Sequence, residues 1–300
     1  MKMTKYTSLE LALKENCELT EKALASFFED KNDSGSLGII MQAEKYSLLG
    51  GGKRIRAFLV NEVARMLGAD LSASMPFAAA VEMIHAYSLI HDDLPCMDDD
   101  DFRRGKPSNH KVFGEANALL AGDALLTNAF LALTRANVPS GVLAEAVEVL
   151  SSAAGDEGMI GGQITDLEGE GRELSFDELL TLHSLKTGKM IEVSALLGCL
   201  AAGKKADDEV SLRICAYARN IGLAFQAVDD LLDVIGDESV VGKSLSDKDN
   251  NKTTFLTFFD IEGVKAYAKR LTEEAIKEIE LINNSDTLRE LAWYLLERNK

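Results

Sequence analysis

Six aspartates fall within ten residues in the stretch His91-Asp92-Asp93-Leu94-Pro95-Cys96-Met97-Asp98-Asp99-Asp100-Asp101-Phe102-Arg103-Arg104-Gly105. A second acidic cluster, Gln226-Ala227-Val228-Asp229-Asp230-Leu231-Leu232-Asp233, lies far down the chain in an apolar setting. Carboxylates packed this densely repel one another unless a cation sits among them. Oxygen-only donors suit Mg²⁺, which keeps some waters and completes its octahedron with phosphate oxygens. Cations are close at hand. Arg103, Arg104 and Lys106 follow the first cluster, Lys53, Arg54 and Arg56 follow Gly50-Gly51-Gly52, and Lys186, Lys243 and Lys252 are spread through the second half. Arginine and lysine bind the phosphate oxygens that a metal leaves over. The chemistry indicated is the handling of a diphosphate through a divalent metal.

Spacing sharpens this. Asp229 and Asp233 are four residues apart and share one helix face, with Gln226 a turn earlier on the same stripe. A solvated acidic face would read the same way, but Ile221, Leu223, Ala224, Phe225, Leu231 and Leu232 make the surroundings apolar. Acids near a helix C-terminus also need compensation against the helix dipole. In the first cluster Pro95 should break the helix, which lets Asp92 and Asp98 converge on one cation. Asp99 to Asp101 read partly as an acidic loop. His85 lies seven residues before Asp92, two turns down the same side. Such a histidine serves either as a hydrogen-bonded core residue or as a ligand. The glycine triplet is either a plain helix stop or a backbone that can approach an anion.

The elements that position these residues read as helices throughout. Apolar residues make up 46% of 300, and the only prolines are Pro76, Pro95, Pro107 and Pro139. Ala and Leu are abundant and alternating Val/Ile/Thr runs are missing, which predicts an all-α chain. Helices are expected near 8–30, 54–67, from 75 into the first cluster, 115–135, 141–167, 176–202, 208–236, 263–282 and 286–298. A short helix should end at the glycine triplet, and 103–111 should be a loop. No Gly/Ser- or Pro-rich linker divides the chain, so 1–300 is expected to be a single domain. Bundle cores often build metal sites from side chains on facing helices.

The formal charge of −17 argues against nucleic acid or an anionic membrane as partner. Cys17, Cys96, Cys199 and Cys215 form no CxxC pair, which suits a reduced, cytoplasmic protein. Residues 1–10 lack a signal core, and no stretch of 18 uncharged apolar residues occurs, so no membrane span is expected.

Taken together, these motifs resemble the short-chain trans-isoprenyl diphosphate synthases. The resemblance runs from about Lys45 to Thr254. It is carried by Gly51-Gly52-Lys53-Arg54-Ile55-Arg56, the stretch Glu82 to Gly105, Gly162-Gln163, Lys186-Thr187-Gly188, and Phe225 to Asp233. It implies an all-helical bundle around a deep central cavity, a homodimer, and three Mg²⁺ ions. It further implies that Asp92, Asp98 and Asp229 bind the metal, supported by Asp93 and Asp233. Arg103, Lys186, Thr187, Gln226 and Lys243 would hold an allylic diphosphate, dimethylallyl or geranyl. Lys53, Arg56, His85 and Arg104 would hold isopentenyl diphosphate. Three departures from the family pattern are Ala57 in place of proline, Phe102 in place of leucine, and the loosely matching Asn250-Asn251-Lys252-Thr253-Thr254, which leaves a diphosphate contact by Lys252 open.

Tyr87 occupies the fifth position before the first motif, where a ring would floor the cavity that receives the growing tail. With the Pro95-Cys96 enlargement, this is typical of bacterial farnesyl (C15) synthases, with a geranylgeranyl (C20) product as the alternative. A terpene cyclase and a non-catalytic partner subunit fit less well. Cyclases usually replace the second Asp-rich motif, partner subunits generally lose one, and both motifs are intact here.

Overall fold

The computed structural model describes residues 5–29, 31, 34–169, 171–240 and 253–298, with the backbone alone for 233–240. The chain sorts into two compact units: residues 1–9, 148–196 and 204–300, and residues 10–147 with 197–203. Helices are α1 (Thr7–Ser26), α2 (Gly35–Leu48), α3 (Ile55–Met66), α4 (Leu71–Asp92), α5 (Asn109–Phe113), α6 (Glu115–Leu133), α7 (Ser140–Ala154), α8 (Met159–Gly169), α9 (Phe176–His183), α10 (Lys189–Ala201), α11 (Glu209–Val240), α12 (Phe255–Phe258), α13 (Ile261–Ile279) and α14 (Asp286–Leu296). The all-α expectation holds. The described residues include only one departure, a minimal antiparallel hairpin of β1 (Phe102–Arg103) and β2 (Lys106–Pro107). It begins one residue before the segment 103–111 read as a loop and otherwise lies within it.

In the unit built on 10–147, α4 packs against both α3 and α6. Small and apolar residues cover almost all of its circumference, and Phe77, Ala78, Ala80, Val81, Met83 and Ile84 are buried, which marks a core helix. Pro76 lies within it. A proline removes the bond to the carbonyl four residues back, here that of Ser72, and the N–H of Asn137 donates to that oxygen at 3.2 Å instead. Burial of α4 is therefore not bought with an orphaned carbonyl. Helix α6 is long and apolar enough by composition to cross a membrane, the only such helix among the described residues. It nevertheless carries Asp123 mid-length and packs on α4, α2 and α5, so it reads as a core helix of this unit.

In the other unit α11 runs beside α13 and contacts α14, where the buried Tyr217 hydroxyl donates to the Leu288 carbonyl at 2.6 Å. Leu179, Ala227, Val228, Leu231, Phe255, Val264 and Ala268 form its apolar centre. Two expectations needed revision. The helix expected at 141–167 is broken at Gly155–Gly158, and the one expected at 176–202 contains a π turn, Ser184–Gly188.

Candidate active site

The first acidic corner is built where α4 stops. Asp92 is its last residue, and the chain turns through Leu94-Pro95-Cys96-Met97 so that the Asp98 N–H donates to the Asp92 carbonyl at 2.9 Å. Six positions of sequence collapse to one backbone hydrogen bond, which returns the chain at Asp98 to the end of α4. Asp93 behaves differently. It is 2% exposed and its carboxylate takes Arg103 Nε at 2.9 Å together with Nη2. The structure thus uses Asp93 to fix Arg103.

Hairpin β1–β2 turns through Arg104 and Gly105, both with positive φ. This aims the Arg104 guanidinium at the glycine turn, where Nη1 donates to the Gly51 carbonyl. A side chain at Gly52 would put its Cβ 2.9 Å from Arg104 Nη1, and the φ of 126° there also favours glycine. What approaches the glycine triplet closely is therefore an arginine.

The three cations behind the triplet divide by burial. Arg54 turns inward at φ 50°, bonded to Glu21, Glu82 and the Leu48 carbonyl. Glu82 is itself buried and accepts the Ala57 N–H at 3.1 Å, so one carboxylate holds both Arg54 and the first turn of α3. Lys53 is exposed and Arg56 half-buried on either side of this clamp. Burial, and then the charges of Arg56 and Arg104, hold His85 well below the usual histidine range. A neutral imidazole amid arginines can donate to an anion without adding to their repulsion. Tyr87 is buried, its ring edge on His91 at 5.7 Å, and its hydroxyl has no hydrogen-bond partner among the described residues. Burial raises its pKa to about 12.

The second corner belongs to the unit of 148–196 and 204–300. The π turn sits where α8 and α11 press on it. A Cβ on Gly162 would lie 2.2 Å from Lys186 N, and one on Gly222 would lie 3.3 Å from Gly188 Cα. π turns are rare and concentrate at functional positions. This one presents Lys186, whose Nζ meets Asp166 Oδ2 at 2.6 Å, and Thr187, whose Oγ1 donates to Gln226 Oε1 at 3.3 Å. Gln226 Nε2 in turn donates to Asp229 Oδ2 at 3.3 Å. Asp229 Oδ1 is taken by Arg298 Nη2 at 2.5 Å, with the guanidinium 3.7 Å above the Phe225 ring.

Thus Lys186, Thr187, Gln226 and Asp229 share one corner, while Asp92, Asp98, Arg103, Arg104, Arg56 and His85 belong to the other unit. The Asp233 side chain, Lys243 and Lys252 lie outside the described residues. Sequence reasoning missed Asp166 and Arg298. Asp166 lies one turn after Gly162 and Gln163 on α8, a spacing that could have found it. Nothing local marks Arg298. The donor chemistry fits Mg²⁺. Every candidate is a carboxylate oxygen, and among the described residues no three His, Cys, Asp or Glu side chains converge on a point.

The chain is helical almost throughout, with two corners where carboxylates meet basic side chains, Asp93 with Arg103 in one and Asp166 with Lys186 and Asp229 with Arg298 in the other. Its fold is similar to that of an FPP/GFPP synthase from Zymomonas mobilis, with a TM-score of 0.86 and 33% identity over 96% of this chain and 99% of that one. The chain is 47% identical to the farnesyl diphosphate synthase of Geobacillus stearothermophilus over 262 residues, 86% of each protein. It is 42% identical to the geranylgeranyl diphosphate synthase of Cyanophora paradoxa over 270 residues, covering 88% of this chain and 89% of the relative. Residues 38–291 match the polyprenyl synthetase family. The chain belongs to that family.

Proposed function

We propose that this chain is a Mg²⁺-dependent prenyltransferase that condenses isopentenyl diphosphate with dimethylallyl or geranyl diphosphate to give farnesyl diphosphate. The observation that carries the reading is the cationic cluster at the glycine turn, where Arg104 donates to the Gly51 carbonyl beside exposed Lys53 and half-buried Arg56, in the same unit as the Asp92/Asp98 turn. A terpene cyclase has no use for a second cationic pocket of that kind.

Asp92, Asp98 and Asp229 would hold the metal, three ions as in the family, which supplies charge neutralisation on the allylic diphosphate. Arg103, fixed by Asp93, and Lys186, fixed by Asp166, supply further positive charge where the diphosphate leaves. Thr187, Gln226 and Lys243 orient the same group. As the allylic C–O bond breaks, its electron pair goes to the diphosphate and an allylic cation remains. Lys53, Arg56, His85 and Arg104 hold isopentenyl diphosphate with its double bond toward that cation, so the new C–C bond forms between oriented partners. A proton then leaves the adjacent carbon for the released diphosphate.

Tyr87 floors the site and stops the product at C15. The alternative is a C20 product. A homodimer is proposed through the exposed apolar residues Val112, Leu119, Leu120 and Leu131 on α5 and α6, and the place of action is the cytoplasm. Light scattering of the purified protein would test the dimer.

The deciding experiment supplies Mg²⁺, labelled isopentenyl diphosphate and either allylic diphosphate, and resolves products by chain length. A dominant C15 product is expected. A dominant C20 product would keep the transferase and remove Tyr87 as floor. Allylic diphosphate consumed without isopentenyl incorporation would make the chain a cyclase.

A further inference from the structure

The proposed chemistry gives Asp229 a metal and leaves its neighbour Asp230 without a task. Adjacent helical residues point about 100° apart, so the two carboxylates serve different surroundings. Asp230 Oδ2 accepts the backbone N–H of Phe255 at 2.7 Å, across 25 positions of sequence. Phe255 opens α12, is fully buried, and lies flat on the His183 imidazole, with centroids 5.2 Å apart and planes at 12°. His183 is the residue immediately before the π turn of Lys186 and Thr187. Two positions before Phe255, Thr253 Oγ1 accepts the Leu174 N–H at 2.9 Å, just ahead of α9. Phe176, in the first turn of α9, also sets its ring edge on Phe255. The start of α12 is therefore fastened to α11 by one carboxylate oxygen, and the ring that follows supports the helix bearing the π turn.

We infer that Asp230 is a positioning residue: its carboxylate oxygen clamps Phe255 under His183 and so sets the π turn that offers Lys186 and Thr187 to the allylic diphosphate. The inference rests on the proposed prenyl transfer. The clamp needs an acceptor oxygen and not a charge. Asparagine at this position retains the acceptor and alanine removes it, whereas a metal ligand would be weakened by both changes.

The test compares wild type, Asp230→Asn and Asp230→Ala by amide exchange of segment 253–259, by kcat and both KM values, and by the Mg²⁺ concentration for half-maximal rate. Alanine should speed exchange of that segment by about tenfold or more, because a buried N–H loses its acceptor. It should also lower kcat by about tenfold or more and raise KM for geranyl diphosphate, leaving that for isopentenyl diphosphate within about twofold. Asparagine should restore exchange and turnover to within about threefold of wild type, with an unchanged Mg²⁺ requirement in both variants. An asparagine variant as impaired as alanine, with a raised Mg²⁺ requirement, would overturn the inference in favour of metal binding. An alanine variant with wild-type exchange and kinetics would overturn it outright. If alanine fails to fold, asparagine decides alone: near-wild-type turnover supports the clamp and loss of turnover overturns it. An inactive wild type would refute the prenyl transfer reading instead, and the exchange comparison would still decide the clamp.

Discussion

Gly162→Ala is the smallest change that should reach Lys186 without touching it. The added Cβ would lie 2.2 Å from Lys186 N, 2.6 Å from Lys186 Cα and 2.9 Å from Leu185 C, all backbone atoms with no rotamer to move. Carbon contacts are comfortable at about 3.5 Å, so α8 and the π turn must separate by roughly 1 Å. The turn cannot retreat far, since Gly222 on α11 already brings a Cβ position within 3.3 Å of Gly188 Cα. Forcing a methyl into such a contact costs about 1–3 kcal/mol, and the better helix propensity of alanine returns up to about 1 kcal/mol. A net loss of about 1–2 kcal/mol is expected, read as a lower urea midpoint at unchanged slope. The functional loss should be larger, because a shift of ~1 Å in a positioned charge costs on the order of 10²-fold in rate. The assay is steady-state incorporation of labelled isopentenyl diphosphate with geranyl diphosphate varied. kcat should fall by about two orders of magnitude with the isopentenyl KM little changed. A variant at least as stable as wild type and within threefold in kcat would refute the claim that Gly162 sets the turn.

Arg298→Met keeps the stem but removes the cation that pairs with Asp229. A metal then no longer displaces a guanidinium, and Mn²⁺ bound to the protein without substrate, followed by electron paramagnetic resonance, should tighten about three- to tenfold; unchanged or weaker affinity would show that the pair does not compete with metal. Burial holds His183 at about 4, below the usual 6.5. The unfolded chain therefore takes up the proton first, so this contribution to stability is intact above about pH 6.5 and is lost as the pH falls toward about 4, by roughly 3 kcal/mol. His183→Phe should flatten the urea midpoint across that window, and an unaltered pH profile would refute the assignment. Tyr87→Ala empties a buried ring volume and should convert the main product from C15 to C20, as resolved by reverse-phase chromatography. An unchanged C15 product would remove Tyr87 from the floor.

What could be read in the sequence was whatever depended on local rules. Helix identity followed from composition, and the return of Asp98 to Asp92 followed from Pro95. A shared role for His85, Arg56 and Arg104 was available only through the resemblance. Burial was not legible. Lys53, Arg54 and Arg56 look equivalent in the sequence, yet Arg54 is sealed between Glu21 and Glu82, and Asp93 looks like its neighbours but is spent on Arg103. Partners far apart in sequence were also hidden, as Arg298 with Asp229 shows. The π turn was invisible because Ser184-Leu185-Lys186-Thr187-Gly188 carries no proline that would separate the flanking helices. What packs against the turn with its extra residue is close backbone, α8 at Gly162 and α11 at Gly222.

That extra residue has a consequence for how the segment can change. A π turn holds one residue more than the α turn it replaces, so Phe176–His183 and Lys189–Ala201 are out of phase by about 100°. Deleting one residue between Ser184 and Gly188 would yield a regular α-helix in which every later side chain keeps its face. The packing of α10 should therefore survive such a gap, and what the extra residue holds in place is the outward turn of Lys186 and Thr187 toward Asp166 and Gln226.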